Sequence, residues 1–191
     1  PALYTITGGG NYCAGGTGVN ITLSSSTIGV NYQLILNGTT PVGSPVVGTS
    51  FALSFGPVTS AGTYTVIATD ATTGCINNMS GSATVSINAL PTAQSVTGGG
   101  GFCLGGSGVF IGCLLTQAGV NYQLLLSGSP VGSPIAGTGS AISFGLITTG
   151  GPYTVQATNT ATGCVNMMSG TATVTVNPLP TVSLTNTTTT I

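Results

Sequence analysis

The side chains able to do chemistry in this 191-residue chain are few, and cysteine is the main one. The sequence contains five cysteines, a single acidic residue, Asp70, and no Lys, Arg or His. General acid–base catalysis needs a positioned pair of titratable groups, and Asp70 has no partner of that kind. The many Ser and Thr hydroxyls have no base that would activate them as nucleophiles. We therefore predict a protein that is not an enzyme and that uses no cofactor.

The same composition excludes several kinds of partner. Nucleic acids and anionic membrane surfaces are recognised through Lys and Arg, so neither is expected to bind here. No apolar run approaches the length of a membrane span, so we expect no membrane insertion in this segment. Calcium requires several carboxylates, whereas Asp70 stands alone and its repeat counterpart is Asn159. Without His or a CxxC motif, no other metal site is predicted.

Four of the cysteines belong to an internal repeat of about 90 residues. Cys13 returns as Cys103, and Cys75 returns as Cys164. Paired cysteines in segments rich in Gly, Thr and Ser predict disulfides and an oxidising, extracellular setting. The predicted boundaries are residues 1–90 for the first repeat, 91–179 for the second and 180–191 for the start of a third.

Alternating apolar and polar residues in each repeat predict short β-strands. The clearest segment runs from Gly62 to Thr69 and places Tyr64 and Val66 on its inward face. No segment has a helical period. The residues that this alternation places in the core are Tyr32, Tyr64, Val66, Tyr122, Tyr153 and Val155.

Turn residues and prolines mark the ends of these strands. Asn37 and Gly38 predict a tight turn because both residues accept positive φ. The segment Pro41–Pro45 contains two prolines, which predicts an edge strand or a loop. Leu3–Thr7 is predicted to be a weak first strand that ends at the glycines Gly8–Gly10.

Six to seven short strands in a repeat of about 90 residues, with two apolar faces to bury, predict a β-sandwich of immunoglobulin type. Each repeat is long enough to sustain a core of its own. The connector Asn88–Pro91 is short, so consecutive domains should follow one another with limited bending. The predicted fold is therefore all-β, with tandem immunoglobulin-like β-sandwich domains arranged end to end.

Two disulfide pairings are compatible with this fold. The first is intra-repeat and joins Cys13 to Cys75 and Cys103 to Cys164. The second follows from topology, because the loop before the second strand and the loop after the sixth lie at opposite ends of such a sandwich. Cys13 would then lie far from Cys75, and in a head-to-tail rod it would approach Cys164 of the next domain. That inter-repeat bond would stiffen the rod.

Cys113 is the odd cysteine and falls where the first repeat has Leu23, at an inward position of the second strand. We predict a buried free thiol that packs as a small hydrophobic side chain. A reactive role is not expected, because the sequence offers no base or cation that would lower its pKa.

Four motifs in fixed order resemble the immunoglobulin-like (also PKD-like) repeats of giant surface proteins from Bacteroidota. They are Gly-Gly-Gly-x-Tyr/Phe-Cys-x-Gly-Gly, Gly-Val-Asn-Tyr-Gln-Leu, Gly-x-Tyr-Thr-Val-x-Ala-Thr followed by Thr-Gly-Cys, and a closing Val-x-Val/Ile-Asn-x-Leu-Pro. The resemblance covers both copies. It implies stalks of secreted or cell-anchored adhesins, often exported by the type IX system and in some cases tied to gliding motility. Antibody domains have a cysteine where this chain has Val66, so the resemblance implies a sandwich with a displaced disulfide.

The sequence thus predicts a structural stalk or shaft module of an extracellular adhesin or surface fibre, at the cell surface or secreted. Its partners would be neighbouring repeats of the same chain. No signal peptide is visible, so we expect the interior of a longer exported protein. One alternative is a subunit of a self-assembling multi-chain filament, because no Lys protects the edge strands. Another is a glycan-binding repeat, for which Tyr12 and Phe102 beside the Gly-rich loops are the candidates.

Overall fold

Two units of the same architecture make up residues 1–182, the part of the chain that this computed structural model describes. The first unit is Pro1–Ala89, and the second begins at Leu90. Residues 1–182 form strands and no helix. None of their segments is therefore a helix long and apolar enough to cross a membrane. Most of the predicted third repeat, residues 183–191, lies outside the described residues.

Within residues 1–182 each unit contains nine strands. Those of the first are β1 (Ile6–Gly8), β2 (Gly10–Cys13), β3 (Val19–Leu23), β4 (Val30–Leu36), β5 (Thr40–Val47), β6 (Leu53–Val58), β7 (Gly62–Asp70), β8 (Ile76–Asn78) and β9 (Ala83–Asn88). Those of the second are β10 (Val96–Gly98), β11 (Gly100–Cys103), β12 (Val109–Cys113), β13 (Val120–Leu126), β14 (Ser129–Ala136), β15 (Ile142–Ile147), β16 (Gly151–Asn159), β17 (Val165–Met167) and β18 (Ala172–Asn177).

The strands of each unit form two sheets. In the first unit one sheet has the order β1-β3-β6, and the other has the order β2-β9-β7-β4-β5 with β8 beside β7. The corresponding orders in the second unit are β10-β12-β15 and β11-β18-β16-β13-β14, with β17 beside β16. All pairs are antiparallel except β2 with β9 and β11 with β18. This is the arrangement of an immunoglobulin-like or fibronectin-III-like sandwich, and the predicted all-β tandem fold is confirmed.

The core of each unit lies between its two sheets. Tyr64, Val66 and Ala68 alternate along β7 and are completely buried, as the period of a half-buried strand requires. The equivalent residues of β16 are buried in the same way. The residues that the sequence placed in the core have at most 1% of their surface exposed, and they are Tyr32, Tyr64, Val66, Tyr122, Tyr153 and Val155.

The buried tyrosine hydroxyls are all hydrogen-bonded. Tyr64 donates to the carbonyl oxygen of Ser60 at 2.7 Å, and Tyr153 donates to that of Thr149 at 2.9 Å. These bonds close the corner that precedes each central strand, which is a known feature of such sandwiches. Burial raises the pKa of Tyr64, so the phenol stays protonated and remains a donor.

The beginning of each repeat differs from the prediction. The expected strand Leu3–Thr7 is shorter, β1, and a second strand, β2, follows it directly. The chain passes from one sheet to the other at Gly9, whose φ is 78° and where an added Cβ would lie 2.6 Å from the carbonyl oxygen of Thr84. The glycines therefore carry the chain between sheets and do not only end a strand.

The predicted turn and edge are confirmed. Asn37 and Gly38 have φ values of 51° and 77° and join β4 to β5 in a tight hairpin. The segment with two prolines, Pro41–Pro45, lies in β5 at the edge of its sheet. Proline is tolerated there because an edge strand leaves one row of N–H positions unpaired.

Asp70 shapes the turn that follows β7. Its Oδ1 accepts hydrogen bonds from the N–H of Thr72 at 3.0 Å and of Thr73 at 2.8 Å. These bonds, that of Thr73 foremost, hold the pKa of the Asp70 carboxyl below its ordinary value of 3.8. In the second unit Asn159 accepts the two equivalent bonds with its amide oxygen. The residue at this position is therefore a turn acceptor, and its charge is not required by the fold.

Acid should destabilise the first unit through Asp70 alone among its side chains. Since the pKa is lowered on folding, the stabilising contribution is present above the unfolded-state pKa, taken as the ordinary value of 3.8, and is lost as the pH falls through the folded-state pKa. We expect the Asp70→Asn variant to lose this dependence, because an amide oxygen accepts the same bonds at every pH. Thermal unfolding followed by circular dichroism between pH 6 and pH 2 measures it.

The reciprocal variant, Asn159→Asp, should transfer the acid sensitivity to the second unit. An equal loss of stability at pH 2 in the wild type and in Asp70→Asn would contradict the assignment.

Candidate functional site

Each unit carries one cysteine near each of its two ends, which we call its poles. Cys13 lies opposite Asn88, the last residue of β9, whereas the carbonyl oxygen of Cys75 accepts the N–H of Asp70, the last residue of β7, at 2.9 Å. Strand β9 runs antiparallel to β7 and pairs with its first residues only. The nine residues of β7 span roughly 27 Å at about 3.4 Å per residue, and this length separates the two cysteines.

The chain begins at one of these poles and leaves at the other. In the first unit the side-chain amide of Asn77, two residues after Cys75, donates to the carbonyl oxygen of Pro1 at 2.9 Å. The last strand ends beside Cys13. We call the end with Cys75 the N-terminal pole and the end with Cys13 the C-terminal pole.

The second unit has the same polarity. Asn166, two residues after Cys164, donates to the carbonyl oxygen of Pro91 at 2.7 Å. Cys103 lies opposite Asn177, the last residue of β18. Cys164 therefore marks the N-terminal pole of this unit, and Cys103 marks its C-terminal pole.

The two intra-repeat disulfides, Cys13 with Cys75 and Cys103 with Cys164, are not formed in this structure. Cys75 and Cys103 are free thiols on the surface, whereas Cys13 and Cys164 are disulfide-bonded. The physical reason is the separation of the poles, because a disulfide needs Cα atoms no more than about 7 Å apart. The structure therefore differs from the expectation that each repeat closes its own disulfide. The nine-residue strands β7 and β16 hold the two cysteines of each unit too far apart.

Cys113 is a different kind of cysteine. Cys113 is the last residue of β12. Its thiol is free and only 1% exposed. Burial raises the pKa of the thiol, so it stays protonated and unreactive. It packs among the core residues of the second unit where the first unit has Leu23.

The long edge strand β5 is protected against pairing with another chain. Pro41 lies opposite Ile35 of β4, and Pro45 lies in a bulge where the register shifts between Tyr32 and Leu34. Prolines and bulges are devices by which natural sheets hinder edge-to-edge association. Strand β14 of the second unit has the same prolines and the same bulge. The two prolines predicted an edge strand from sequence, but their protection of that edge was not predicted.

A glutamine side chain fixes each bulge. The Nε2 of Gln33 donates to the carbonyl oxygens of Leu34 at 2.9 Å and Val42 at 3.0 Å. Gln123 makes the equivalent bonds in the second unit at the same distances. The carbonyl groups that the bulge frees are therefore satisfied from within the unit.

The aromatic residues proposed for glycan binding are not surface platforms. Tyr12 and Phe102 are partly buried and pack against the cores of their units. The hydroxyl of Tyr12 donates to the carbonyl oxygen of Thr59. Both side chains therefore cover the edge of the core beside the pole cysteines.

An apolar groove of about 380 Å³ lies instead on the three-stranded sheet of the second unit. Phe110 is 62% exposed on its wall, and Thr97 and Ser143 line it with hydroxyl groups. Gly112 also lines it, where the first unit has Thr22, whose hydroxyl lies 2.7 Å from that of Thr7. An added Cβ at Gly112 would lie 2.3 Å from the carbonyl oxygen of Ile142, so the backbones of β12 and β15 come too close there for a side chain.

The face around this groove distinguishes the two units. Phe110 pairs across the sheet with Leu146, and Leu114, the residue that follows β12, is 68% exposed. The first unit has polar or small residues at the matching positions, which are Asn20, Pro57 and Ser24. Comparing the exposed residues of the two repeats would have found this difference from sequence.

Comparisons with known proteins concern the fold. No protein-family model and no curated protein sequence matches the chain. Murine CEACAM1b is 14% identical over 91% of this chain and 100% of that chain, with a TM-score of 0.41. The fibronectin(III)-like modules of Clostridium thermocellum CbhA are 13% identical over 90% of this chain and 95% of that chain, with a TM-score of 0.42. Likenesses this distant carry no assignment of function.

Removing the edge prolines should promote association of copies through their sheets. The change is Pro41→Thr with Pro45→Thr, combined with Pro130→Thr and Pro134→Thr. Each threonine restores an N–H on the exposed edge and favours strand structure, so we expect multimers and thioflavin T binding. Sedimentation velocity measures the multimers.

The matched control is Pro180→Thr, which makes the same chemical change outside any strand. If the fourfold variant stays as monodisperse as this control, the prolines do not protect the edge.

Proposed function

We propose that this chain is a structural, non-enzymatic module: tandem immunoglobulin-like domains in the shaft of an extracellular adhesin or surface fibre, at the cell surface or secreted. The observation that carries the proposal is the placement of the cysteines at the poles of each unit, where neither unit can close its own disulfide. Such cysteines suit bonds between successive domains. Bonds of that kind are useful to a module that bears load along its length.

The bond proposed for this role is the inter-repeat pair, Cys13 with Cys164. Cys13 lies opposite Asn88 in the first unit, and Pro91 is hydrogen-bonded beside Cys164 in the second. Three Cα steps separate Asn88 from Pro91, so the chain brings these points within about 11 Å of each other. The bonding state of the cysteines supports this pairing, because Cys13 and Cys164 are the two that are bonded.

The composition also supports an exposed structural role. The sequence has no Lys or Arg, which removes trypsin-type cleavage sites, and its surface is hydrated through hydroxyl and amide groups. Among the described residues no group of three or more His, Cys, Asp or Glu side chains is placed to hold a metal. The resemblance to Bacteroidota surface repeats, with the type IX export it implies, agrees with the proposal.

Peptide mapping under non-reducing conditions tests the disulfide pairing on which the shaft proposal rests. Thiols are blocked, the chain is cut with pepsin because trypsin sites are absent, and the bonded peptides are identified by mass spectrometry. We expect a peptide joining Cys13 to Cys164. Small-angle scattering of the same sample should show an elongated particle, and reduction should make its two domains more mobile relative to each other.

The control is Cys113→Ala, which removes a thiol that takes no part in the bond. Its scattering should change with reductant as the wild type does, while Cys13→Ser should behave as if already reduced. A peptide joining Cys13 to Cys75, or a compact particle, would contradict the shaft proposal.

A second candidate function is glycan binding, and the groove beside Phe110 favours it. Its walls offer an exposed aromatic ring to the apolar face of a sugar and the hydroxyls of Thr97 and Ser143 to the sugar's hydroxyls. None of the residues that line the groove is charged, so the ligand would be a neutral glycan. This site replaces the expectation centred on Tyr12 and Phe102.

Replacing Phe110 by Asn, the residue at this position in the first repeat, should abolish glycan binding. The ring supplies the stacking surface, whose loss costs about tenfold or more in affinity at a buried contact of this kind. The measurement is a neutral-glycan array probed with the wild type and the variant.

Phe51→Asn is the matched control, since Phe51 is 75% exposed in the first unit and lies outside the groove. A wild type that binds nothing on the array, or binding that survives in Phe110→Asn, would remove this second candidate.

A further inference from the structure

The hairpin turn between β4 and β5 contains the only Asn-Gly pair of the sequence, Asn37 followed by Gly38. Asn37 is exposed, and a Cβ added at Gly38 would meet no atom within 4 Å. An asparagine amide is hydrolysed most readily when glycine follows it, because no side chain shields the nitrogen that attacks the amide. The second unit has Ser127 and Gly128 at this place and cannot undergo the same change.

A hydrogen bond ties the Asn37 side chain to the central strand of its sheet. The N–H of Thr63 in β7 donates to the Oδ1 of Asn37 at 3.0 Å, and the N–H of Asn37 donates to the carbonyl oxygen of Thr63 at 2.8 Å. The amide also lies against Gly62, where an added Cβ would be 2.6 Å from Oδ1 and 3.1 Å from Nδ2. In the second unit Pro152 takes the place of Thr63 and has no N–H to donate.

The backbone of the folded turn keeps the reacting atoms apart. Asn37 has a φ of 51°, which lies in the left-handed region, where ψ is also positive. At the ψ typical of that region, the Cβ of Asn37 and the nitrogen of Gly38 lie on opposite sides of the Cα–C bond. Attack of that nitrogen on Cγ closes a five-membered ring, which needs both atoms on the same side. The turn must therefore open before the reaction can occur.

The geometry points to Asn37 as a deamidation site that reacts only when this turn opens locally, with the Thr63 hydrogen bond holding the turn closed. Local openings of this kind occur in folded proteins without global unfolding. Deamidation then records how often the end of the hairpin separates from β7. This chemistry is separate from the proposed shaft and from its disulfide.

The reaction consumes water and releases ammonia. The deprotonated nitrogen of Gly38 attacks the Cγ of Asn37, the bond between Cγ and Nδ2 breaks, and Nδ2 leaves as ammonia after taking up a proton. Water then opens the resulting succinimide at either of its two carbonyl carbons. The product has Asp or isoaspartate at position 37, so the chain gains a carboxylate in addition to that of Asp70.

The two products should affect the turn differently. Asp keeps an oxygen at the Oδ1 position, and the turn after β7 already shows that Asp70 and its counterpart Asn159 accept equivalent bonds. Isoaspartate places an extra methylene carbon in the main chain of a two-residue turn, which sets the register of β4 with β5. We expect isoaspartate, and not Asp, to destabilise the hairpin.

The test incubates the full chain at pH 8.5 and follows the mass gain of one dalton at each asparagine by mass spectrometry of peptic peptides. We expect Asn37 to react first, more slowly than in the same chain in denaturant, and faster as the pH is raised. Thr63→Pro removes the donor and copies the residue found at this strand position in the second unit, so it should speed the reaction several-fold. Thr63→Ala keeps the N–H and is the matched control, with a rate close to that of the wild type.

Hydrogen exchange of the Thr63 N–H gives a second readout, which needs no variant and decides the matter if Thr63→Pro does not fold. Because one opening frees both groups, folding should slow exchange and deamidation by the same factor relative to the denatured chain. No modification at Asn37, faster modification of another asparagine, or a folded rate equal to that in denaturant would overturn the inference. A folded Thr63→Pro that reacts no faster than Thr63→Ala would overturn it as well, as would two slowing factors that differ by more than about tenfold.

Discussion

The structure depends on the length and burial of one strand in each unit, β7 and β16. Each lies in the middle of its larger sheet, paired on one side with the strand that starts the hairpin and on the other with the last strand. Tyr64, Val66 and Ala68 fill the core from β7 at period two. The same nine residues set the distance between the poles, so the packing that makes the domain also keeps its two cysteines apart.

A chain with almost no charge must satisfy its polar groups by other means. Amide and hydroxyl side chains take the places that charged residues often hold, as Gln33 does at the bulge and Asn159 at the turn. Among the described residues no buried side-chain nitrogen or oxygen lacks a hydrogen-bond partner. Stability therefore rests on apolar burial and on neutral hydrogen bonds, which ionic strength hardly affects.

Much of the fold could be predicted because its signals are local. The alternation around Tyr64, the pair Asn37 and Gly38, and the prolines of β5 each report on neighbours a few residues away. The strand β2 could not be predicted, because Asn11 and Tyr12 have no alternation to compare and their pairing partner is β9, more than 70 residues later. Non-local parallel pairing leaves no trace in a short segment of sequence.

The candidate sites show the same division between local and non-local information. The burial of Cys113 followed from its place in an alternating strand, whereas the separation of Cys13 from Cys75 was one of two alternatives that only the register of three strands could decide. The groove beside Phe110 could not be predicted from alternation within one strand, because its lining comes from the three strands β10, β12 and β15.

The position of the cysteines also indicates that neither domain needs a disulfide for its own folding. A domain of about 90 residues buries enough apolar surface to fold without a cross-link, and Val66 fills the place where antibody domains carry a core cysteine. The bond proposed between Cys13 and Cys164 would close a loop that includes parts of two domains, so it would add little to the packing inside either one. Cysteines freed from stabilising their own domain are available to determine how one domain is joined to the next.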